Sequence, residues 1–535
     1  METNRTIHVH SRPVVNLKTE FDPFQVFYWI YPTILVLYYT YDLFLTKIIT
    51  HKHANHPLVG SPSILAPRFV LNLIFASRAV KVLETGYQKF KTRTFQLIRG
   101  DGNIVVLPLE VIEELSTIPS NIASPHGALE HDLLGPYTGL NLILESRLHH
   151  SIVQRKLTPR LPALTPYIEK ELTSAVEDYF PACEEWTEIQ PFKLLGQVAA
   201  RLTARALVGP ELCRNATWLD ISVNYTESLF KTIVILRLFP SWAHPFISKL
   251  LPSYWAGWGY VKSAKALLGP KIDDLLRRNN EGTWSPGEDA AEYNVLAWLA
   301  DLAKGTDRDS HALAHVEVLL ALASVHTTLL RMVNVLYDLT QNQGLFSELQ
   351  NEIAHAREKD WTHASYSELW KLDSVLRESQ RVSPPTILGM KRLFKQDFTF
   401  ATGLYIPKGT YVCMPTYTIE NDPSHTTNPS VFDGLRSYRI RQSVPEGSKE
   451  ADDQQFSSFG KTVLNFGYGK AACPGRYFAS LIIKMVFVKL LTEYDFKFIE
   501  GTARPKNLVV HEFLFPWPWD RILIKRKTTG NKCPF

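Results

Sequence analysis

Cysteine is scarce, with five in 535 residues: Cys183, Cys213, Cys413, Cys473 and Cys533. The number is odd, no two stand as C-x-x-C and the spacing is wide, which excludes a disulfide framework and a zinc ribbon. A cysteine that matters here acts alone. Charge of one sign is lacking too: 58 Lys and Arg stand against 53 Asp and Glu, a net charge of +5, too weak and dispersed for nucleic-acid binding as the main activity. Repeats and low-complexity segments are missing. With 45% hydrophobic and 21% charged residues, a disordered chain, a collagen-like chain and a multi-span membrane protein are all excluded. At about 150 residues per domain the length suggests three or four domains, yet no composition shift divides the bulk. The most linker-like stretch, 279–288, reads as a loop between helical patterns.

Aromatic residues are plentiful, with 12 Trp, 22 Tyr and 28 Phe, and favour large apolar cavities and a membrane interface. Residues 24–41 carry no charge, and eighteen residues are just enough to cross a hydrocarbon core as a helix. Tyr28, Trp29 and Tyr31 stand toward one end of that run and Tyr38, Tyr39 and Tyr41 toward the other, like interfacial belts. A secretory signal fits less well, since no A-x-A type site follows. Arg12 and Lys18 before the run balance Lys47 and Lys52 after it, so charge leaves the orientation open. Pro57, Gly60 and Pro62 then form a stiff hinge.

Residues 130–339 read as mostly helical, with apolar residues at three- and four-residue spacing in Leu161–Tyr179, 192–207 and 261–276. Ser310–Gln341 is apolar on nearly all sides, so a helix of about 45 Å is expected to cross the centre of a large domain. Short extended segments at 398–405 and Tyr411–Met414 predict a small sheet. The expected fold is mainly α with a small β region: a tail (1–23), a transmembrane anchor (24–46), a hinge (47–62) and one large domain (63–535).

The most informative stretch is Phe466-Gly-Tyr-Gly469-Lys470-Ala471-Ala-Cys473-Pro474-Gly475-Arg476. Its glycines let backbone approach something bulky and flat. Pro474 suits a first helical position, and 476–494 carries a helical apolar pattern. Cys473 therefore sits at a helix N-terminus, where orphan N–H groups and the helix dipole favour the thiolate that a metal ion requires.

This stretch resembles the haem-binding signature of the cytochrome P450 family, F-x-x-G-x-x-x-C-x-G, with Phe466, Gly469, Cys473 and Gly475 at the family positions. Ala471 departs from it, standing where the family usually has Arg or His for a haem propionate; Lys470 or Arg155 is left for that role. Arg155 lies where the family places W-x-x-x-R, with Ser151 in place of the tryptophan. Glu378 and Arg381, three residues apart on one helical face, resemble the E-x-x-R motif, with Arg436 as third member; the resemblance implies a buried triad serving fold and haem assembly. Ala323-Ser-Val-His326-Thr327-Thr328 resembles the oxygen-activation motif A-G-x-D/E-T-T/S, with His326 in place of the acid. Thr327 is expected to back-bond to a carbonyl four residues earlier and to deliver protons to bound dioxygen. His326 either relays protons or points away from the pocket. Two Asn-x-Thr sequons, at Asn215 and Asn224, read as surface polar residues.

The resemblance implies haem b with Cys473 as axial ligand, and a monooxygenase fed with NADPH electrons by a cytochrome P450 reductase, with cytochrome b5 as a possible second donor. Lys470, Arg476 and Lys484 are candidates to steer that partner. It also implies a single-pass membrane protein of the endoplasmic reticulum with a cytosolic catalytic domain. The substrate is expected to be a lipophilic small molecule, since 383–388 and 513–516 are apolar. The histidine before the two threonines is similar to fungal members that oxidise terpenoid or polyketide skeletons. Two rivals are a haem-thiolate isomerase or dehydratase, which needs no dioxygen, and a non-enzymatic haem carrier or sensor.

Overall fold

A computed structural model describes residues 32–33, 36–44, 56–63, 66–287, 293–528 and 533–535. Helices dominate, and they form where the apolar spacing predicts. Leu161–Tyr179 buries Leu164, Ile168, Leu172 and Ala175 along one stripe, and Pro191–Leu207 buries every position from Val198 onward. The pattern at 261–276 is the middle of a longer helix, Pro252–Asn280, whose leading proline costs nothing at a position without an intrahelical donor.

The helices that place the site are α1 (Arg68–Lys89), α2 (Pro125–Asp132), α3 (Ala216–Leu236), α4 (His244–Leu250), α5 (Ser310–Gln341), α6 (Trp370–Val382) and α7 (Arg476–Glu493). Helix α5 spans the residues that its composition predicts. Asp309 caps it, accepting from the Ala312 N–H at 2.8 Å, and its flanks pack on Pro191–Leu207, Pro252–Asn280, α3, α6 and α7. Such a helix needs apolar residues all round because every side meets protein.

The strands are β1 (Phe95–Arg99), β2 (Gly102–Val106), β3 (Ala123–Ser124), β4 (Thr187–Ile189), β5 (Gly389–Phe394), β6 (Phe398–Thr399), β7 (Tyr405–Ile406), β8 (Tyr411–Met414), β9 (Tyr494–Phe498), β10 (Leu508–Val510), β11 (Phe513–Phe515) and β12 (Ile522–Arg526). A five-stranded sheet runs β1-β2-β8-β5-β3, with β2 and β8 parallel. A three-stranded sheet, β4-β12-β9, and two hairpins complete the set among the described residues. The predicted extended segment 398–405 is the β6–β7 hairpin, and Tyr411–Met414 is a fully buried strand of the main sheet.

Most of the predicted anchor lies outside the described residues. Its end, 36–44, is helical and exposes Val36, Leu37 and Phe44 by 60% or more. Among the described residues only α5 is long and apolar enough to cross a membrane, and it is mostly buried. The hinge docks on the sheet edge, where Gln96 exchanges backbone hydrogen bonds with Pro57 and Val59 at 2.9 and 3.0 Å.

Candidate active site

Gly467 and Gly469 adopt φ of +79° and +66°, the left-handed region that side chains disfavour, and a Cβ on Gly469 would press on Ser116 at 3.0 Å. The resulting loop folds back so that the Cys473 N–H donates to Phe466 O at 2.7 Å, while the Phe466 ring packs edge-on against Phe456. Helix α7 begins at Arg476 with Gly475 as its cap, so Pro474 lies just before the helix rather than at its first position. The backbone N–H groups of Gly475 and Arg476, orphan donors of a helix start, lower the Cys473 thiol pKa. Protein surrounds Cys473 on most sides, yet its side chain stays accessible, so it faces a recess inside the fold. Burial raises the thiol pKa by more than the two N–H groups and Arg476 lower it. The helix start favours the thiolate, as expected, while desolvation opposes it by more; a cation bound at the sulfur would favour the thiolate further.

Helix α5 crosses α7, the helix that Cys473 heads. Its buried run is broken at Ala323 and Thr327, which are open and stand one turn apart on a single face. The Thr327 hydroxyl donates to Ala323 O at 2.8 Å, and Ser324 does the same to Leu320 O at 2.6 Å. His326 does not join that face. Its Nε2 donates to Val223 O of α3 at 3.0 Å, and burial lowers its pKa. Of the two readings of His326, this geometry fits the one that points away from the pocket: a residue one position before Thr327 is rotated by about 100° around the helix and binds a neighbouring helix.

Glu378 and Arg381 form a two-pronged pair at 2.6 and 2.9 Å, and Arg436 joins the same carboxylate at 3.2 and 3.3 Å. The Asp433 N–H adds a fifth bond at 2.9 Å. Burial pushes the Glu378 carboxyl up, but the hydrogen bonds and charges of Arg381 and Arg436 outweigh it and hold the pKa below its ordinary value.

The sequence pattern of the cytochrome P450 family matches residues 128–523. The chain is a cytochrome P450. It is 37% identical to the cytochrome P450 monooxygenase AN1598 of Emericella nidulans over 91% of this chain and 90% of that one. It is 36% identical to the monooxygenase paxP of Penicillium paxilli, over 86% and 88%, and 31% identical to ent-kaurene oxidase P450-4 of Gibberella fujikuroi, over 93% and 98%. Among solved structures the retinoic acid-bound cyanobacterial CYP120A1 superimposes with a TM-score of 0.62 at 20% identity, covering 88% of this chain and 99% of that one, which bears on the fold alone. The enzyme is a P450 monooxygenase, and the family implies haem.

This P450 has side chains suited to haem. Among the described residues no group of three His, Cys, Asp or Glu is arranged to hold a metal ion; Cys473 offers a single donor, as an axial ligand of haem would. A Cβ on Gly475 would meet nothing within 4 Å, and its φ of −86° is ordinary; the glycine leaves room for a close flat neighbour. One basic residue missed by sequence reasoning is Arg392. It is 4% exposed, donates to Lys391 O at 2.8 Å, and burial lowers its pKa to about 10 with no carboxylate offsetting it. It shares the buried face of β5 with Met390 and Phe394, which pack in the same apolar cluster as Leu464 and Tyr468 of the cysteine loop. Beside β5, His126 stands edge-on to His149 and His150 at 6.2 and 6.4 Å, and the Nδ1 atoms of His126 and His149 are buried without partners. The only sequence signal for Arg392 is a cation at a buried position of an alternating strand.

Arg155 and Lys470 are exposed. Lys484, expected as a surface charge, is 4% exposed and donates to Asp373 and to Tyr366 O, each at 2.7 Å; a buried lysine needs such partners and cannot steer a docking protein. Of the two sequons, Asn215 also caps α3, accepting from the Trp218 N–H at 3.1 Å, and Asn224 donates to Asp220 at the surface, while Thr226 is buried.

Proposed function

We propose that this P450 is a membrane-anchored monooxygenase that hydroxylates a lipophilic small molecule, a terpenoid or polyketide intermediate, with electrons passed from NADPH by a cytochrome P450 reductase. The observation that carries this reading is Thr327 on the single open face of a buried helix that crosses the helix headed by Cys473. Haem, when bound through Cys473, supplies dioxygen activation and the electron donation of a thiolate ligand. The protein's own part is positional. Thr327 spends its proton on Ala323 O, leaving its oxygen lone pairs free to accept from a water in that space and set a proton donor there. Arg392, with the unpaired imidazoles of His126 and His149, is the best-placed set for the haem carboxylates, since it is basic, buried and without acidic neighbours.

The apolar substrate class is supported by the meeting of the two predicted distal segments. Thr386 pairs with Phe513, and Phe230 of α3 packs edge-on to Phe513 and Phe515 at 5.6 and 6.3 Å. The relative named ent-kaurene oxidase acts on a diterpene hydrocarbon, which favours a terpenoid. The aromatic run 24–41 and the exposed apolar end at 36–44 support the anchor.

The test uses microsomes carrying the chain and a reductase. A red-shifted thiolate–CO band is expected, and Cys473→Ser should abolish it. Substrate-dependent NADPH consumption with an oxygenated product separates the monooxygenase from an isomerase and from a haem carrier; its absence in protein showing the band would overturn the reading.

A further inference from the structure

The β10–β11 turn is strained and pinned. His511 adopts a φ of +52°, a left-handed conformation that a residue with a side chain keeps only where its surroundings over-determine it. The His511 N–H donates to Ala76 O of α1 at 2.9 Å, Glu512 O accepts from the Ile387 N–H at 2.8 Å, and the Leu514 N–H donates to Pro385 O at 3.3 Å. The Glu512 carboxylate is wholly buried and accepts from Arg99, Arg237 and Lys391 at 2.8, 3.2 and 3.3 Å.

These cations are tied elsewhere too. Arg99 donates to Asp101 and Asp132 at 2.6 and 3.0 Å. Arg237, just past α3, donates to Asp132 O at 2.8 Å, and Lys391 of β5 donates to the Asp132 carboxylate at 2.6 Å. Three cations and three carboxylates thus join the β1–β2 turn, α2, the end of α3, β5 and the β10–β11 turn. A buried cluster of this kind adds little net stability over apolar packing; its effect here falls on the residue that follows the turn.

That residue is Phe513. Arg237 and Lys391 stand over its ring, 5.4 and 5.8 Å from the centroid, within cation–π range. Phe230 of α3 meets it edge-on at 5.6 Å, and the Phe515 ring is 6.2 Å away. Leu514 is buried, whereas Phe513, Phe515 and Phe230 are only partly so. Alternation along β11 puts both phenylalanines on one face, and that face is not packed shut.

Two routes join this aromatic face to the open side of α5. Arg331, one turn past Thr327 on the same face, donates to Ser379 Oγ at 3.0 Å and to Ser383 O, and three residues further on Thr386 pairs with Phe513. On the other side His326 holds Val223 O, and Phe230 lies two turns along α3 from Val223, on the same face.

We propose that Arg237 and Lys391 are positioning residues for the reaction: acting through Phe513, the charge cluster fixes an aromatic wall of Phe513, Phe515 and Phe230 on the far side of the space that Thr327 opens into, and this wall sets how large a substrate fits. The proposal rests on the monooxygenase reading. A ring held on its faces by two cations and at its edge by a phenylalanine does not turn aside for a bulkier skeleton, whereas a wall held by apolar contacts alone can repack.

The test uses the full-length holoenzyme in lipid nanodiscs and two azoles read by their Soret shifts: 1-phenylimidazole, which fills only the space beside the iron, and clotrimazole, whose aryl rings reach beyond it. Lys391→Met keeps the aliphatic stem and removes the cation; it is expected to weaken clotrimazole about fivefold and leave 1-phenylimidazole unchanged, with Lys391→Arg restoring the original ratio. Phe513→Leu should show the same selective loss, and the double variant should lose no more than Phe513→Leu alone. If Lys391→Met does not incorporate haem, Arg237→Lys, which keeps the charge in the cluster but withdraws the guanidinium from the ring, carries the same expectation. Equal weakening of both azoles, no weakening of clotrimazole, or additive single effects overturn the proposal. Failure of the monooxygenase reading shows differently, as an unmutated protein with no thiolate–CO band and no Soret shift with either azole.

Discussion

Thr327 and His326 are neighbours in the chain with different duties, and that difference is testable. Thr327→Ala should leak electrons to hydrogen peroxide and lower product per NADPH, with Thr327→Ser keeping most of the coupling. His326→Leu should leave the coupling unchanged but cost about 1 kcal/mol in denaturant unfolding, because the hydrogen bond from His326 Nε2 to Val223 O is lost. Equal uncoupling by both variants would return His326 to the proton path. Glu317 on the same helix behaves oppositely. It is fully buried with neither oxygen paired, and burial alone raises its pKa well above the usual range. Glu317→Met should therefore stabilise the enzyme by about 1–3 kcal/mol, checked by the denaturation midpoint. The i to i+4 back-bond of Thr327 was legible from the sequence; the direction of His326 was not, since it depends on which helix packs against that side of α5.

At the scale of elements, α6 and the segment ending in Arg436 are joined by one carboxylate. Glu378→Gln removes the charge but leaves Arg381 buried and Arg436 half-buried without a counter-ion, at a cost of about 3 kcal/mol, and haem incorporation should fall with it, read as the ratio of Soret to protein absorbance. Arg381 and Glu378 could be paired from their spacing. Arg436 could be added only by resemblance, because nothing in fifty-odd intervening residues encodes the return of the chain. The cysteine loop was the most legible element: its glycines, proline and following amphipathic pattern predict a turn leading into a helix, and only the place of Pro474 just before the helix differs. The sheet was legible in part. β8 reads as a strand from its apolar run, whereas its place beside β2 and the ionic cluster beneath the sheet depend on pairing across hundreds of residues.

For the whole molecule, buried carboxylates set the pH response. Cationic neighbours hold Asp101, Asp132 and Glu512 below the ordinary range, and Arg381 and Arg436 do so for Glu378. A depressed pKa contributes stability that is present above the unfolded value, near 4, and is lost as pH falls through the folded one. Glu352 and Glu420 have the opposite sign: burial pushes both up to about 7, so their contribution is present below about 4 and is lost as pH rises through 7. Thermal stability of the full-length protein should therefore peak in mild acid, near pH 5, and decline on both sides; Glu420→Gln should flatten the alkaline side, read from Tm against pH. A profile rising steadily from pH 5 to 8 would contradict this balance.

Composition and local pattern by themselves determined the helical class, the extent of the central helix, the lone cysteine at a helix start and the Glu378–Arg381 pair, because these rest on periodicity and short-range chemistry. Tertiary structure alone decided that His326 serves α3, that Lys484 is buried, that Arg392 is buried with no carboxylate beside it and that six charges meet between the main sheet and the end of α3. Each of these depends on which distant surfaces pack together, and a side chain's partner in the interior is set by that packing rather than by its neighbours in the chain.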